Sequence, residues 1–249
     1  AEAGYKLSGN YQSLFRSFSD NEIVLVRRNG YDNSFEKSNY PIGADQATGG
    51  TAPSGNLVDA YETTGGRTFS WKDPSMAARP YENRDPRFAA TIMPNNSTFQ
   101  GRPVECWEGG ADGPDKNNAS RTGYYLLKYV DPELKLLQGQ SAIHSWIIIR
   151  LGEIYLNYAE AMNEAYGPDG KGIYGKSARE AVNEVRGRVG MPEVLADSKE
   201  EMREKIRHER RVELAFEDHR FWDVRRWMTA PDDLNAPLKG VKVTRLSYN

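Results

Sequence analysis

The sequence predicts a mainly α-helical protein with long loops and a few short strands. Three observations carry that expectation. Apolar residues recur at helical spacing from residue 145 onward. Two Ser-x-x-Glu signatures, at Ser177 and Ser198, mark helix starts within that stretch. Gly, Pro, Asn, Ser and Thr crowd the chain before it and break every apolar run. The division is placed near residue 140: residues 1–140 are a loop-rich region with short strands, the candidate ligand-facing part, and residues 141–249 a helical scaffold.

In chain order, Ile23-Val24-Leu25-Val26 is the first β-like run and residues 124–130 (YYLLKYV) the second. Between them, residues 49–55 and 108–115 read as plain loops, and Asp85-Pro86 and Asp131-Pro132 as turns. The first helix is expected from the spacing of Ile147, Leu151, Ile154, Tyr158 and Ala161, widened by Met162 and Ala165, and is stopped by Gly167-Pro168-Asp169-Gly170. Ser177 opens a second helix as a capping box with Glu180, running through Ala181, Val182 and Val185 to Gly190. Ser198 and Glu201 open a third in the same way, continuing towards Phe216. A short fourth, near Phe221 to Met228, ends before Pro231. The first two make an antiparallel hairpin of tetratricopeptide-like kind, packed against the loop-rich region. Such a hairpin needs stacked neighbours to bury its faces.

Composition narrows the function classes. A chain of 249 residues can bury a proper core, and a net charge of −2 gives no general attraction to nucleic acid or anionic lipid. No run approaches the roughly 20 apolar residues of a membrane helix. A single cysteine, Cys106, excludes an internal disulfide and a cysteine-cluster metal site, and reads as a small packing residue. The first six residues lack the basic and apolar regions of a targeting signal, as a mature chain or an excised fragment would.

Formal motif matches lack their context. Gly170-x-Gly172-x-x-Gly175 follows a helix rather than a strand, so it is a helix–helix connector instead of a phosphate cradle. His208-Glu209-Arg210-Arg211-Val212 has Val where a zinc helix needs its second His, and no metal or cofactor is expected. Glu209 and Glu213 fall on one helix face with Met202, Ile206 and Phe216. Two carboxylates so placed suit glycoside hydrolysis. The alternative is a structural ion-pair network with Arg207, Arg210, Arg211, Arg220, Arg225 and Arg226, favoured by the number of nearby arginines. No catalytic residue is assigned.

The aromatic residues of the loop-rich region, Tyr31, Tyr40, Trp71, Tyr81, Trp107 and Tyr124, offer flat faces that suit sugar rings, unless they serve ordinary packing. Trp107, beside the loop at 108–115, Trp71, before Lys72-Asp73-Pro74, and Tyr81 are the glycan-binding candidates.

Four blocks carry a family resemblance. Residues 146–161 (WIIIRLGEIYLNYAEA) and 208–227 (HERRVELAFEDHRFWDVRRW) resemble two helical blocks of the SusD/RagB family, and residues 53–62 (PSGNLVDAYE) and 84–88 (RDPRF) fit two earlier ones. The resemblance covers nearly the whole chain and corresponds to the C-terminal half of a family member. It implies a SusD-like helical fold with tetratricopeptide-like hairpins. It also implies an outer-membrane, surface-exposed lipoprotein that captures glycan, or sometimes peptide, and passes it to a SusC-like TonB-dependent transporter without catalysis. Membrane attachment would then be through an N-terminal lipid anchor that has no counterpart in this chain. The matching blocks are scaffold, so no binding residue carries over from the family. A transporter-docking module, or an enzyme using Glu209 and Glu213, are the alternative functions.

Overall fold

A computed structural model describes residues 4–246. The leader reading made at the start of the chain falls partly on residues 1–3, outside the described residues. In order the chain forms α1 (Tyr11–Leu14), β1 (Ile23–Asp32), α2 (Ser34–Asn39), α3 (Gly55–Val58), α4 (Pro74–Ala78) and α5 (Pro86–Thr91). Next come β2 (Ile92–Met93), β3 (Thr98–Phe99), β4 (Arg102–Pro103), β5 (Tyr125–Leu126) and β6 (Ala142–Arg150). The helices α6 (Leu151–Tyr166), α7 (Ala178–Arg188), α8 (Lys199–Glu213), α9 (His219–Arg226) and α10 (Ala230–Asn235) complete it. The helix-rich, strand-poor class agrees with the sequence.

These elements fold into two compact units that are discontinuous in sequence. Unit 1 gathers residues 1–27, 60–87 and 146–236; unit 2 gathers residues 28–59, 88–145 and 237–249. β1 and β6 pair as a two-stranded sheet.

Unit 1 is built on α6, α7 and α8. Its core joins Leu156, Ala159 and Met162 of α6 to Ala181, Val182 and Val185 of α7 and to Met202 and Ile206 of α8. The Ser177 box forms in full: its hydroxyl accepts from Glu180 N at 3.2 Å and Glu180 accepts from Ser177 N at 2.7 Å. At α8 only half of it forms. Ser198 accepts from Glu201 N, but Glu201 takes the amide of Asp197 instead. The glycines at 170, 172 and 175 lie in the connection between α6 and α7, as expected.

The first long helix departs from expectation. Residues 146–149, a Trp followed by three isoleucines, continue β6, and the helix begins only at Leu151. β-branched side chains favour the extended backbone. The buried stripe is therefore Gly152, Leu156, Ala159, Met162 and Asn163, while Ile154 and Ala161 are exposed.

Unit 2 is held by loops, short helices and paired two-residue strands. β2 and β5 run antiparallel with Ile92 opposite Leu126 and Met93 opposite Tyr125, all buried. Only those two residues of the expected 124–130 strand pair. β3 and β4 form a hairpin whose turn residues, Gln100 and Gly101, both take positive φ, the left-handed turn that matches strand twist. Tyr40 packs edge-on against Phe99 at 4.8 Å, and its hydroxyl donates to the carbonyls of Asp131 and Leu134.

Candidate ligand-binding site

The two carboxylates singled out on α8 are core residues. Glu213 is fully buried, and Arg87 at 2.8 Å, Arg150 at 2.7 Å and Arg188 at 2.5 Å donate to it. Glu209 receives Arg186 at 2.9 Å and also Arg87. The network widens through Asp85, which grips Arg87 at 2.6 Å, and Glu22, which receives Arg150 and Arg188. Glu217 and Glu62 complete it on Arg150 and Arg186. Burial alone would raise the Glu213 carboxyl. Arg188, Arg150 and Arg87 outweigh burial and hold it well below the usual carboxylate range.

A glycosidase acid needs the opposite shift and access to a sugar, so this pair is unsuited to that chemistry. The ion-pair reading fits, but with other arginines than those expected. Neighbours one or two positions away on a helix point off the face that carries Glu209 and Glu213. Arg210 turns to Asp223 at 2.9 Å, Arg207 to Glu204 at 3.0 Å and Arg220 to Asp233 at 2.5 Å. Arg226 takes Glu160 and Asp223, and Arg225 lies 3.7 Å over the Phe221 ring.

Trp71 and Tyr81 belong to unit 1 and Trp107 to unit 2. Trp71 is 42% exposed, and its ring meets Phe69 edge-on at 5.2 Å. The Arg84 guanidinium lies 3.9 Å from the Phe69 centroid, itself held by the carbonyls of Tyr61 and Pro80. Just after Trp71, Asp73 caps α4 by accepting from Ser75 N at 2.9 Å, and Pro74 supplies the first helical position. The Ser75 hydrogen bonds lower the pKa of Asp73, whose carboxylate pairs with Arg67 at 3.4 Å. Tyr81, half-buried, follows the same helix. An exposed aromatic face can stack on a sugar ring.

Trp107 is half-buried rather than open. Its backbone bridges to Val243 and the Arg245 guanidinium lies 5.6 Å from its ring. The loop after it is pinned from inside by buried Asp112, which accepts from Gly43 N, Glu105 N and Arg102 at 2.6–2.9 Å. A side chain at Gly113 would meet the Trp107 carbonyl at 2.0 Å, so only glycine fits there.

Of the remaining loop aromatics, Tyr40 and Tyr124 are buried packing residues and Tyr31 is exposed. The sequence assigns Phe221 and Trp222 to the helical scaffold. They do sit on α9, packed edge-on at 5.1 Å, yet Trp222 is 66% exposed. Position on an amphipathic helix was their only available signal, and an eight-residue helix gives too few turns to resolve its faces. Among the described residues no group of three or more His, Cys, Asp and Glu side chains could hold a metal, and no helix is long and apolar enough to cross a membrane.

Comparison with known proteins places this architecture. No curated protein sequence matches the chain. A SusD-like protein from Bacteroides fragilis superposes with a TM-score of 0.82 at 30% identity, over 98% of this chain and 52% of its own. A SusD-like carbohydrate-binding protein from the same organism gives 0.82 at 29% identity, over 96% and 48%. The surface glycan-binding protein A of Bacteroides uniformis shares the fold, with a TM-score of 0.59 at 16% identity over 95% and 44%. The chain thus spans about half the length of these solved relatives. The sequence profile of the SusD family matches residues 15–249, and the chain belongs to that family.

Proposed function

We propose that the chain is part of a glycan-binding subunit of an outer-membrane uptake complex, which captures oligo- or polysaccharide and passes it to a SusC-like TonB-dependent transporter. The observation that carries this reading is the 29% identity and 0.82 TM-score to a SusD-like carbohydrate-binding protein across nearly the whole chain. Trp71 and Tyr81 in unit 1 and Trp107 in unit 2 are the proposed stacking residues. Family membership supports a surface-exposed outer-membrane location, with attachment through a lipid.

Affinity electrophoresis and calorimetry against a panel of polysaccharides and oligosaccharides test the reading. Wild-type protein is expected to be retarded by at least one glycan, and Trp71→Ala or Trp107→Ala to weaken that binding about tenfold or more, as loss of a stacked ring implies. Absence of binding across the panel, with neither variant differing from wild type, would defeat it. Co-purification with a transporter in the absence of any sugar affinity would point to a docking module instead.

A further inference from the structure

The half-buried Trp107 shares unit 2 with residues 237–246, and this late segment lies against it. As far as Val241 the segment is fastened through its backbone. Gly55 N donates to the Lys239 carbonyl at 2.7 Å, and Val241 N donates to the Thr122 carbonyl at 2.9 Å. The Asn56 side chain accepts from Lys239 N at 2.7 Å and donates to the Pro237 carbonyl at 3.0 Å. Two glycines permit so close a fit. A Cβ at Gly123 would meet the Val241 carbonyl oxygen at 2.7 Å, and one at Gly240 would meet the Thr122 Cα at 2.7 Å.

Beyond Val241 the hold is of another kind. Val241 and Val243 are half-buried while Lys242 and Thr244 are exposed, the alternation of an extended segment, so the next inward position falls to Arg245. Its guanidinium stands over the Trp107 ring, 5.6 Å from the centroid. Among the described residues, no side chain from 242 to 246 makes a hydrogen bond or an ion pair. The ties are the backbone bridge of Val243 to Trp107, the partial burial of Val243 and the cation over the indole. The Trp107 backbone, by contrast, is boxed in. Its carbonyl accepts from Gly110 N at 2.9 Å and leaves no room for a side chain at Gly113. Of the two partners, residues 242–246 are the one held weakly enough to move.

We propose that residues 242–246 form a displaceable cover on Trp107, hinged after Val241. With the cover seated, Arg245 occupies a face of the indole; with it lifted, that face opens to a flat, ring-shaped ligand. The identity of that ligand as a saccharide rests on the glycan reading above, and the cover itself does not. A site that is open only part of the time binds more weakly by the open fraction, so the cover is an autoinhibitory contact.

Acrylamide quenching of tryptophan fluorescence in the full chain tests the cover. Each protein is compared with its counterpart that also carries Trp107→Phe, so the difference isolates this indole. Arg245→Ala should raise the lifted population about two- to fivefold, the equivalent of one exposed cation–π contact, and the Trp107 quenching constant should rise with it. Arg245→Lys keeps a cation over the ring and should stay near wild type. Val243→Ser combined with Arg245→Ala removes the apolar tie as well and should give the most open indole. Equal quenching of Trp107 in wild type and the double variant would overturn the proposal. Calorimetry with a glycan that retards the wild type links the cover to capture: Arg245→Ala should tighten binding by the same two- to fivefold. Weaker binding instead makes Arg245 part of the binding face and also overturns the cover. An indole that opens while no protein in the series binds glycan defeats the glycan reading and leaves the cover standing.

Discussion

Replacing Glu213 by Gln removes one negative charge from a site where three guanidinium groups converge. The amide keeps the shape and one acceptor, so no cavity forms, and the effect isolates charge. Arg87 and Arg150 retain other carboxylates, Asp85 and Glu209 for the first, Glu22 and Glu217 for the second. Among the described residues, Arg188 retains only Glu22 as a carboxylate partner, at 3.0 Å. The amide's NH2 must also face a buried cation. Breaking a buried pair by removing one partner costs about 3–5 kcal/mol. At about 2 °C per kcal/mol for a chain of this length, the melting temperature should fall by about 6–10 °C at pH 7. Circular dichroism melts and urea titrations of wild type and variant measure it. Because the folded-state pKa of Glu213 lies well below 4.5, its contribution is fully present above that value and is lost as pH falls through the folded pKa. The gap between wild type and Glu213→Gln should therefore be constant from pH 7 to about 5.5 and narrow in more acidic solution. A variant melting within about 1 °C of wild type at pH 7 would refute the idea that this network holds the unit together.

Other outcomes follow from simpler contacts. Ser177→Ala should destabilise by about 1 kcal/mol, read from urea midpoints, since it removes the hydroxyl half of a formed capping box. Glu164→Gln, which breaks the surface bridges to Arg203 and Lys199, should cost under about 1 kcal/mol and less still at high salt. Burial pushes the Cys106 thiol up to about 12, so a thiol reagent at pH 8 should label it only when the protein unfolds. Gly113→Ala should distort the loop after Trp107, changing indole fluorescence, because the added carbon has no room beside the Trp107 carbonyl.

Much of the fold was legible because its signals are local. The cap at Ser177, the stop at Gly167 and the apolar positions of α7 all act within a turn or two of the residue that encodes them. The misreading of residues 146–149 arose from the same logic. Ile147 and Leu151 fit a helical spacing by accident, and pairing of β6 with β1, a contact distant in sequence, settles the backbone instead. The short helices before residue 90 were missed although Asn10, Ser54 and Asp73 cap three of them. Four or five residues hold too little periodicity to register. The candidate site was least legible. Which aromatic is open and which arginine reaches Glu213 depends on residues far apart in sequence. Arg87 and Glu213 are 126 positions apart.

That separation has a consequence for how the chain comes to be folded. Synthesis delivers Glu22, then Glu62, Asp85 and Arg87, then Arg150, the arginines of α7, and last Glu209, Glu213 and Glu217. Until α8 emerges, Arg87 and Arg150 have only part of their countercharge, and burying them would be opposed by several kcal/mol per ion, an order-of-magnitude cost. The early segments of unit 1 must therefore stay hydrated while the ribosome works, and their closure waits on the final helices. A ribosome stalled before residue 209 should carry the unit 1 segments open to protease. The charges that make the finished core hard to break also keep it from closing early.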